Sequence, residues 1–132
     1  MQNFKKEERL CSIKLIEKLF HNGSSFLVYP FRIVWLVADE PHTNSPAQVL
    51  VSVPKKKFKR AVDRNLIKRR MRELYRLNKS EILYPFLKEH SLNLLIAINY
   101  IGNDIAEYSF MEKKFKDALL RLKKAYLSSH VD

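Results

Sequence analysis

Arg64, Lys68, Arg72 and Arg76 recur at four-residue steps, with Asn65 and Arg69 beside them, in a stretch whose pattern turns helical from Ala61 to about Leu77. At 100° per residue, setting Arg64 at roughly 0° puts Lys68, Arg72, Asn65, Arg76 and Arg69 at about 40, 80, 100, 120 and 140°. Ile67, Met71, Leu74 and Tyr75 fall between about 280 and 20°, so one face of this helix packs and the adjoining face is a basic stripe. Forked guanidinium groups and point-like ammonium groups at this spacing suit several backbone phosphates. Asn65 adds a side chain that both donates and accepts, as a ribose hydroxyl or base edge requires. Arg70, at about 240°, lies off the stripe.

The segment from Lys55 to Arg76 holds 11 Lys or Arg against two acids, a net of +9, whereas the other 110 residues hold 14 against 12. Lys57, Lys59 and Arg60 therefore join the stripe as candidate contacts to a polyanion. A merely solvated helix face mixes signs for pairing between turns, and this one does not, so a polyanionic partner is the better reading.

Other chemistries are poorly served. With only Gly23 and Gly102 there is no glycine-rich loop to cradle a nucleotide phosphate. His21, His42, His90 and His130 are far apart, in loops or near element ends, and read as solvated surface, as do the acid pairs Glu7-Glu8 and Asp39-Glu40. Cys11 has no Cys or His at metal-ligand spacing and reads as a small buried hydrophobe. No catalytic residues, metal site or small-molecule cofactor are expected. The N-terminus lacks a secretory pattern and the longest apolar runs are too broken to span a membrane, which predicts a cytoplasmic protein.

At 132 residues, 46% of them apolar, the chain is expected to form one domain over residues 1–132. Leu10, Ile13, Ile16, Leu19 and Phe20 form one apolar stripe of an amphipathic helix, ended by a left-handed stop at Gly23. Pro30 should divide the following apolar stretch into a short edge strand and a longer strand from Phe31 to about Val37. Ala47 to Val53 predicts another strand, expected to pair with it as a hairpin, and Pro54 then opens a lysine loop. Ser80 to His90 suggests a short helix, capped by Ser80 and made irregular by Pro85. Leu92 to Tyr100 reads as a strand covered on both faces. Ser109-Phe110-Met111-Glu112 has the form of a capping box before a last amphipathic helix, expected to fray after Leu127. Phe20 and Phe31 are candidate walls of a groove for single-stranded RNA, while Phe26, Tyr29 and Trp35 are assigned mainly to the core.

The run Val51-Ser52-Val53-Pro54-Lys55-Lys56, followed by Ala61-Val62-Asp63-Arg64-Asn65-Leu66-Ile67-Lys68-Arg69-Arg70-Met71-Arg72-Glu73, resembles the signature of the bacterial ribonuclease P protein subunit. The resemblance extends to Arg9-Leu10, Leu19-Phe20, Gly23 and Tyr29-Pro30-Phe31, and so covers almost the whole chain. It implies an α+β fold, a two-layer α-β sandwich in the order α-β-β-β-α-β-α, whose four-stranded sheet contains a left-handed βαβ crossover. It also implies a function: assisting a catalytic RNA, which holds Mg²⁺, in removing the 5′ leader from precursor tRNA by contacting both that RNA and the single-stranded leader. The enzyme is then the holoenzyme, and the protein alone is not expected to cleave.

Positions carried over from the family are Lys55, Lys56, Arg64, Asn65, Lys68, Arg69 and Arg72, with Lys57, Lys59, Arg60 and Arg76 added on charge. The leader is expected between the sheet and the basic region, against Phe20 and Phe31. Leu66 stands where the family usually has arginine, and at about 200° it falls outside the stripe. Ile16 stands where an aromatic is common, leaving Phe20 as the better stacking candidate. The alternatives are a general RNA-binding protein of ribosomal or chaperone type and a protein nuclease acting alone.

Overall fold

The computed structural model describes residues 5–39 and 44–129. In chain order the elements are α1 (Ile13–Asn22), β1 (Ser24–Val28), β2 (Phe31–Val37), β3 (Ala47–Ser52), α2 (Ala61–Asn78), α3 (Tyr84–Glu89), β4 (Leu94–Tyr100) and α4 (Tyr108–Ser129). This is the expected α-β-β-β-α-β-α order with one short helix added. Parts of the predicted loop after Asp39, with Glu40 and His42, and His130 in the tail lie outside the described residues.

The sheet order is β1-β2-β4-β3, antiparallel except for the parallel pair β3 and β4. The expected hairpin between β2 and β3 is therefore corrected: β4 lies between them. Strand β4 presents Leu94, Ile96, Ile98 and Tyr100 to one face and Leu95 and Ala97 to the other, nearly all buried. A strand apolar on both sides is most stable at the centre of a sheet, whereas β3, half-buried at every second residue, tolerates a margin. The outer edge of β3 is met by the N-terminal segment, where Leu10 N donates to Val49 O at 3.0 Å. Pro30 divides β1 from β2 as expected, and β1 is the other edge strand.

Helices α2, α3 and α4 cover one face of the sheet, burying Phe31, Ile33, Val49, Ile96 and Ile98 against Ile67, Met71, Leu74, Phe115 and Leu119. Each such side chain contributes about 1.5–3 kcal/mol on burial. Helix α1 lies on the other face, with Leu19 against Val34, Leu95 and Ala97. It is shorter than the sequence pattern suggests. Ser12 caps it, its Oγ accepting from Leu15 N at 3.3 Å, so Leu10 belongs to the segment before it. Cys11, between buried Leu10 and the cap, turns outward and is exposed, contrary to expectation.

Gly23 ends α1 with φ −75°, in extended rather than left-handed backbone. Close approach explains the glycine: a Cβ there would collide with the Leu19 carbonyl and lie 2.9 Å from the Trp35 carbonyl oxygen. Ser80 is not a cap, because α2 continues through a π-helical turn, Lys79–Leu83, directly into α3 and leaves no helix start to cap. Pro85 stands at the junction of the π-helical turn and α3, where the N–H it lacks coincides with the break in the regular α-helical ladder. Helix α4 begins at Tyr108, so Ser109 lies inside its first turn and not at the cap position that the expected capping box requires. Glu8 is not solvated either. Its carboxylate is buried and bonded to Lys79 and Tyr84.

Candidate nucleic-acid interface

Helix α2 is anchored by buried Ile67, Met71, Leu74 and Tyr75, the four residues assigned to its packed face. That fixes its rotation. Asn65, Arg69 and Arg72 are fully outward, with Arg64, Lys68 and Arg76 half-buried along the same side. Arg70 turns away, its NH1 donating to Ala106 O at 3.0 Å, as its place off the stripe requires.

The lysine loop has its own anchor. Phe58 is buried with its ring 5.9 Å from that of Tyr100, which leaves Lys55, Lys56, Lys57, Lys59 and Arg60 exposed around it. Arg64 joins loop to helix, donating from NH1 to Phe58 O at 2.7 Å and Lys59 O at 2.9 Å. Lys57 Nζ donates to Ile101 O at 2.6 Å, bringing the loop against the end of β4. Arg64 thus positions the loop while its charge stays within the basic surface.

Arg76 is differently placed from the rest. Its guanidinium forks onto Glu73, with Nε 3.0 Å from Oε2 and NH2 2.5 Å from Oε1. The hydrogen bond from Arg76 holds the Glu73 carboxyl below its ordinary value. The stripe therefore contains one internal ion pair, and Arg76 is its least available cation. Leu66, half-exposed, borders a shallow hollow of about 410 Å³ with Val62, Asp63, Asn65 and Arg69, so it adjoins the stripe.

Of the two aromatic candidates, only Phe20 is accessible. Phe31 is 0% exposed, its ring edge-on to Phe115 and Tyr100 at 5.5 and 6.1 Å, because β2 directs it to the helix-covered face. Its assignment as a groove wall is corrected to core. Phe20 is 46% exposed on α1, and Ile13 on the same helix is 75% exposed. The apolar stripe of α1 is thus wider than the sheet needs, and its flanks face solvent.

The register brings together residues that no local pattern connects. Ser52 pairs with Asn99, Asn99 with Arg32, and Arg32 with Leu27, making one row across all four strands. The row lies on the face that α1 covers only in part, since its neighbours Val34, Ala97 and Leu95 are the residues packed under α1. Ser52 Oγ and Asn99 Oδ1 are 2.6 Å apart. Only Arg32, a lone charge in an apolar strand, gave a sequence signal for this row. Among the described residues no three His, Cys, Asp or Glu side chains converge as metal ligands.

A family model described as Ribonuclease P matches residues 4–123. The chain belongs to the ribonuclease P protein family. The ribonuclease P protein component of Porphyromonas gingivalis is 38% identical over 117 residues, covering 89% of this chain and 84% of that protein. That of Chlorobium phaeobacteroides is 34% identical over 109 residues, covering 77% and 74%. The solved structure of the Staphylococcus aureus RNase P protein superposes with a TM-score of 0.68 at 21% identity, covering 89% of this chain and 95% of that one. The RNase P protein of Thermotoga maritima gives 0.68 at 20% identity, covering 86% and 96%. At these identities the two structures show a shared fold, and this ribonuclease P protein has its basic helix and lysine loop on that fold.

Proposed function

We propose that this ribonuclease P protein is the RNA-binding subunit of the holoenzyme, gripping the catalytic RNA with α2 and the lysine loop and laying the 5′ leader of precursor tRNA across the open sheet face. The observation that carries this reading is continuity. Strand β3 runs through Ser52 directly into the lysine loop, so the row Ser52, Asn99, Arg32, Leu27 starts where the basic surface ends. Lys55, Lys56, Lys57, Lys59, Arg60, Asn65, Lys68, Arg69 and Arg72 supply phosphate and ribose contacts. Phe20, exposed on α1 on the same side of the sheet as the row, offers a stacking surface.

In this reading Mg²⁺ and the cleavage chemistry belong to the RNA, and the protein contributes binding and orientation. Phosphate neutralisation by the stripe lowers the repulsion between two RNAs, which at low Mg²⁺ is otherwise left unscreened. No helix among the described residues is long and apolar enough to cross a membrane, in keeping with action in the cytoplasm.

The test is cleavage of precursor tRNA by protein alone, by the cognate catalytic RNA alone, and by both, at low Mg²⁺. The expected result is stimulation of the RNA by the protein and no cleavage by protein alone. Cleavage without the RNA refutes the reading in favour of a protein nuclease, and lack of stimulation refutes it in favour of a general RNA binder.

A further inference from the structure

A second cationic surface lies away from α2, where α4 passes the free edge of β1. Helix α4 carries six Lys or Arg against two acids. Between it and β1 is an open cleft of about 640 Å³ lined by Ser24, Phe26, Trp35, Asp117, Arg121 and Lys124, among others. Arg121 bridges the two walls: its NH1 donates to Leu27 O at 3.0 Å and its guanidinium carbon lies 5.1 Å from the Phe26 ring centroid. Half-buried Phe26 supplies a π surface, Arg121 and Lys124 the positive charge, and Ser24 a hydroxyl, with Trp35 buried behind them as the floor. The Asp117 carboxylate repels a bare phosphate but accepts from a ribose hydroxyl or an exocyclic amine.

These groups fit a nucleotide unit of a single strand. An added peptide strand fits less well, because the Arg121 guanidinium already occupies the Leu27 carbonyl on the free edge of β1. The location selects the strand. Leu27, 56% exposed, is the last member of the row that begins at Ser52, and Arg121 holds its carbonyl. The row crosses three strand spacings, roughly 14 Å, from the basic loop to the β1 edge.

The geometry points to the cleft between β1 and α4 as a binding site for the upstream part of the 5′ leader, the part that has already crossed the sheet face and turns over the β1 edge. The inference rests on the leader lying along the row, as proposed above. It makes leader affinity depend on length: nucleotides beyond the sheet add binding through Arg121, Lys124 and the Phe26 ring.

The experiment measures holoenzyme affinity for precursor tRNAs whose leaders are shortened one nucleotide at a time. The wild type should gain affinity with each added nucleotide and then plateau. Combined Arg121→Ala and Lys124→Ala should leave the shortest leaders unchanged and remove the gain at the longest, a loss on the order of tenfold, with a salt slope lower by about two. Because Arg121 also holds β1, Lys124→Glu alone serves as a second variant that removes no packing, and it should lower affinity only for long leaders.

Wild-type affinity at every leader length in both variants overturns the proposal. So does a loss that is equal at all lengths, which would assign the cleft to the catalytic RNA, and so does a long-leader affinity unchanged while an acidic peptide binds the cleft. The underlying reading fails separately, if Arg32→Ala, at the exposed centre of the row, leaves the affinity for leaders of every length unaltered.

Discussion

Lys79 Nζ lies 2.6 and 2.5 Å from the two carboxylate oxygens of Glu8, a residue 71 positions earlier, and both side chains are almost fully buried. The π-helical turn after α2 carries the lysine, and the 3-10 turn Lys6–Glu8 carries the acid. Tyr84 OH donates to Glu8 Oε2 at 2.7 Å, and Tyr84 and Ser45 hydroxyls are 3.2 Å apart. This clasp fastens the N-terminal segment, which lies along β3, to the far end of α2.

Breaking the clasp from one side leaves a buried charge without its counter-ion. Glu8→Gln should therefore destabilise the fold by about 3–5 kcal/mol, read from the urea midpoint. Replacing both partners with apolar residues, Glu8→Leu with Lys79→Met, should recover most of that loss. A single-variant cost below about 0.5 kcal/mol would show the pair to be dispensable.

The same cluster gives stability an alkaline limit. Burial, reinforced by the hydrogen bond to Glu8, pushes the Tyr84 phenol up from 10.0 to about 12. A raised phenol value means the folded state keeps a proton that the unfolded chain releases. The stabilisation is complete below pH 10, the unfolded value, and declines as pH rises toward about 12. Chemical denaturation across that window should show a falling midpoint, and Tyr84→Phe should flatten the fall. An equal slope in the variant would assign the effect to other groups.

Phe20 and Phe31, equivalent candidates by sequence, should separate in opposite directions. Phe31→Ala should cost about 3–5 kcal/mol of stability through the cavity left among Phe115 and Tyr100. Phe20→Ala should change stability by less than about 1 kcal/mol while weakening leader binding in the holoenzyme. Thermal melts and leader-dependent affinities on both variants check this, and a strongly destabilised Phe20 variant would place that ring in the core instead.

Arg72 and Arg76 occupy neighbouring turns of the stripe but differ in partnership. Removing Arg72, fully outward, should lower the salt slope of binding to the catalytic RNA by about one. Arg76→Ala should lower it by clearly less, because its guanidinium is already forked on Glu73. Equal slopes for the two variants would mean that RNA binding opens the Glu73 pair.

What the sequence determined by itself is whatever repeats locally. The 3.6-residue period placed Ile67, Met71, Leu74 and Tyr75 inside, Lys68 and Arg72 along the stripe and Arg70 off it. Pro30 divided β1 from β2 because a proline lacks the ladder donor. The signature around Arg64-Asn65 carried the family. The tertiary structure alone decided what depends on residues far apart in the chain. Strand β4 entered between β2 and β3, since pairing of strands follows burial on both faces and not order in sequence. The two-residue period of β2 could not say which face is covered, and that choice buried Phe31 and exposed Arg32. Glu8 read as solvated until the fold brought Lys79 to it, and Cys11 as buried until the Ser12 cap fixed where α1 begins. The row from Ser52 to Leu27 exists only as strand register, set by the backbone ladders of four separate segments.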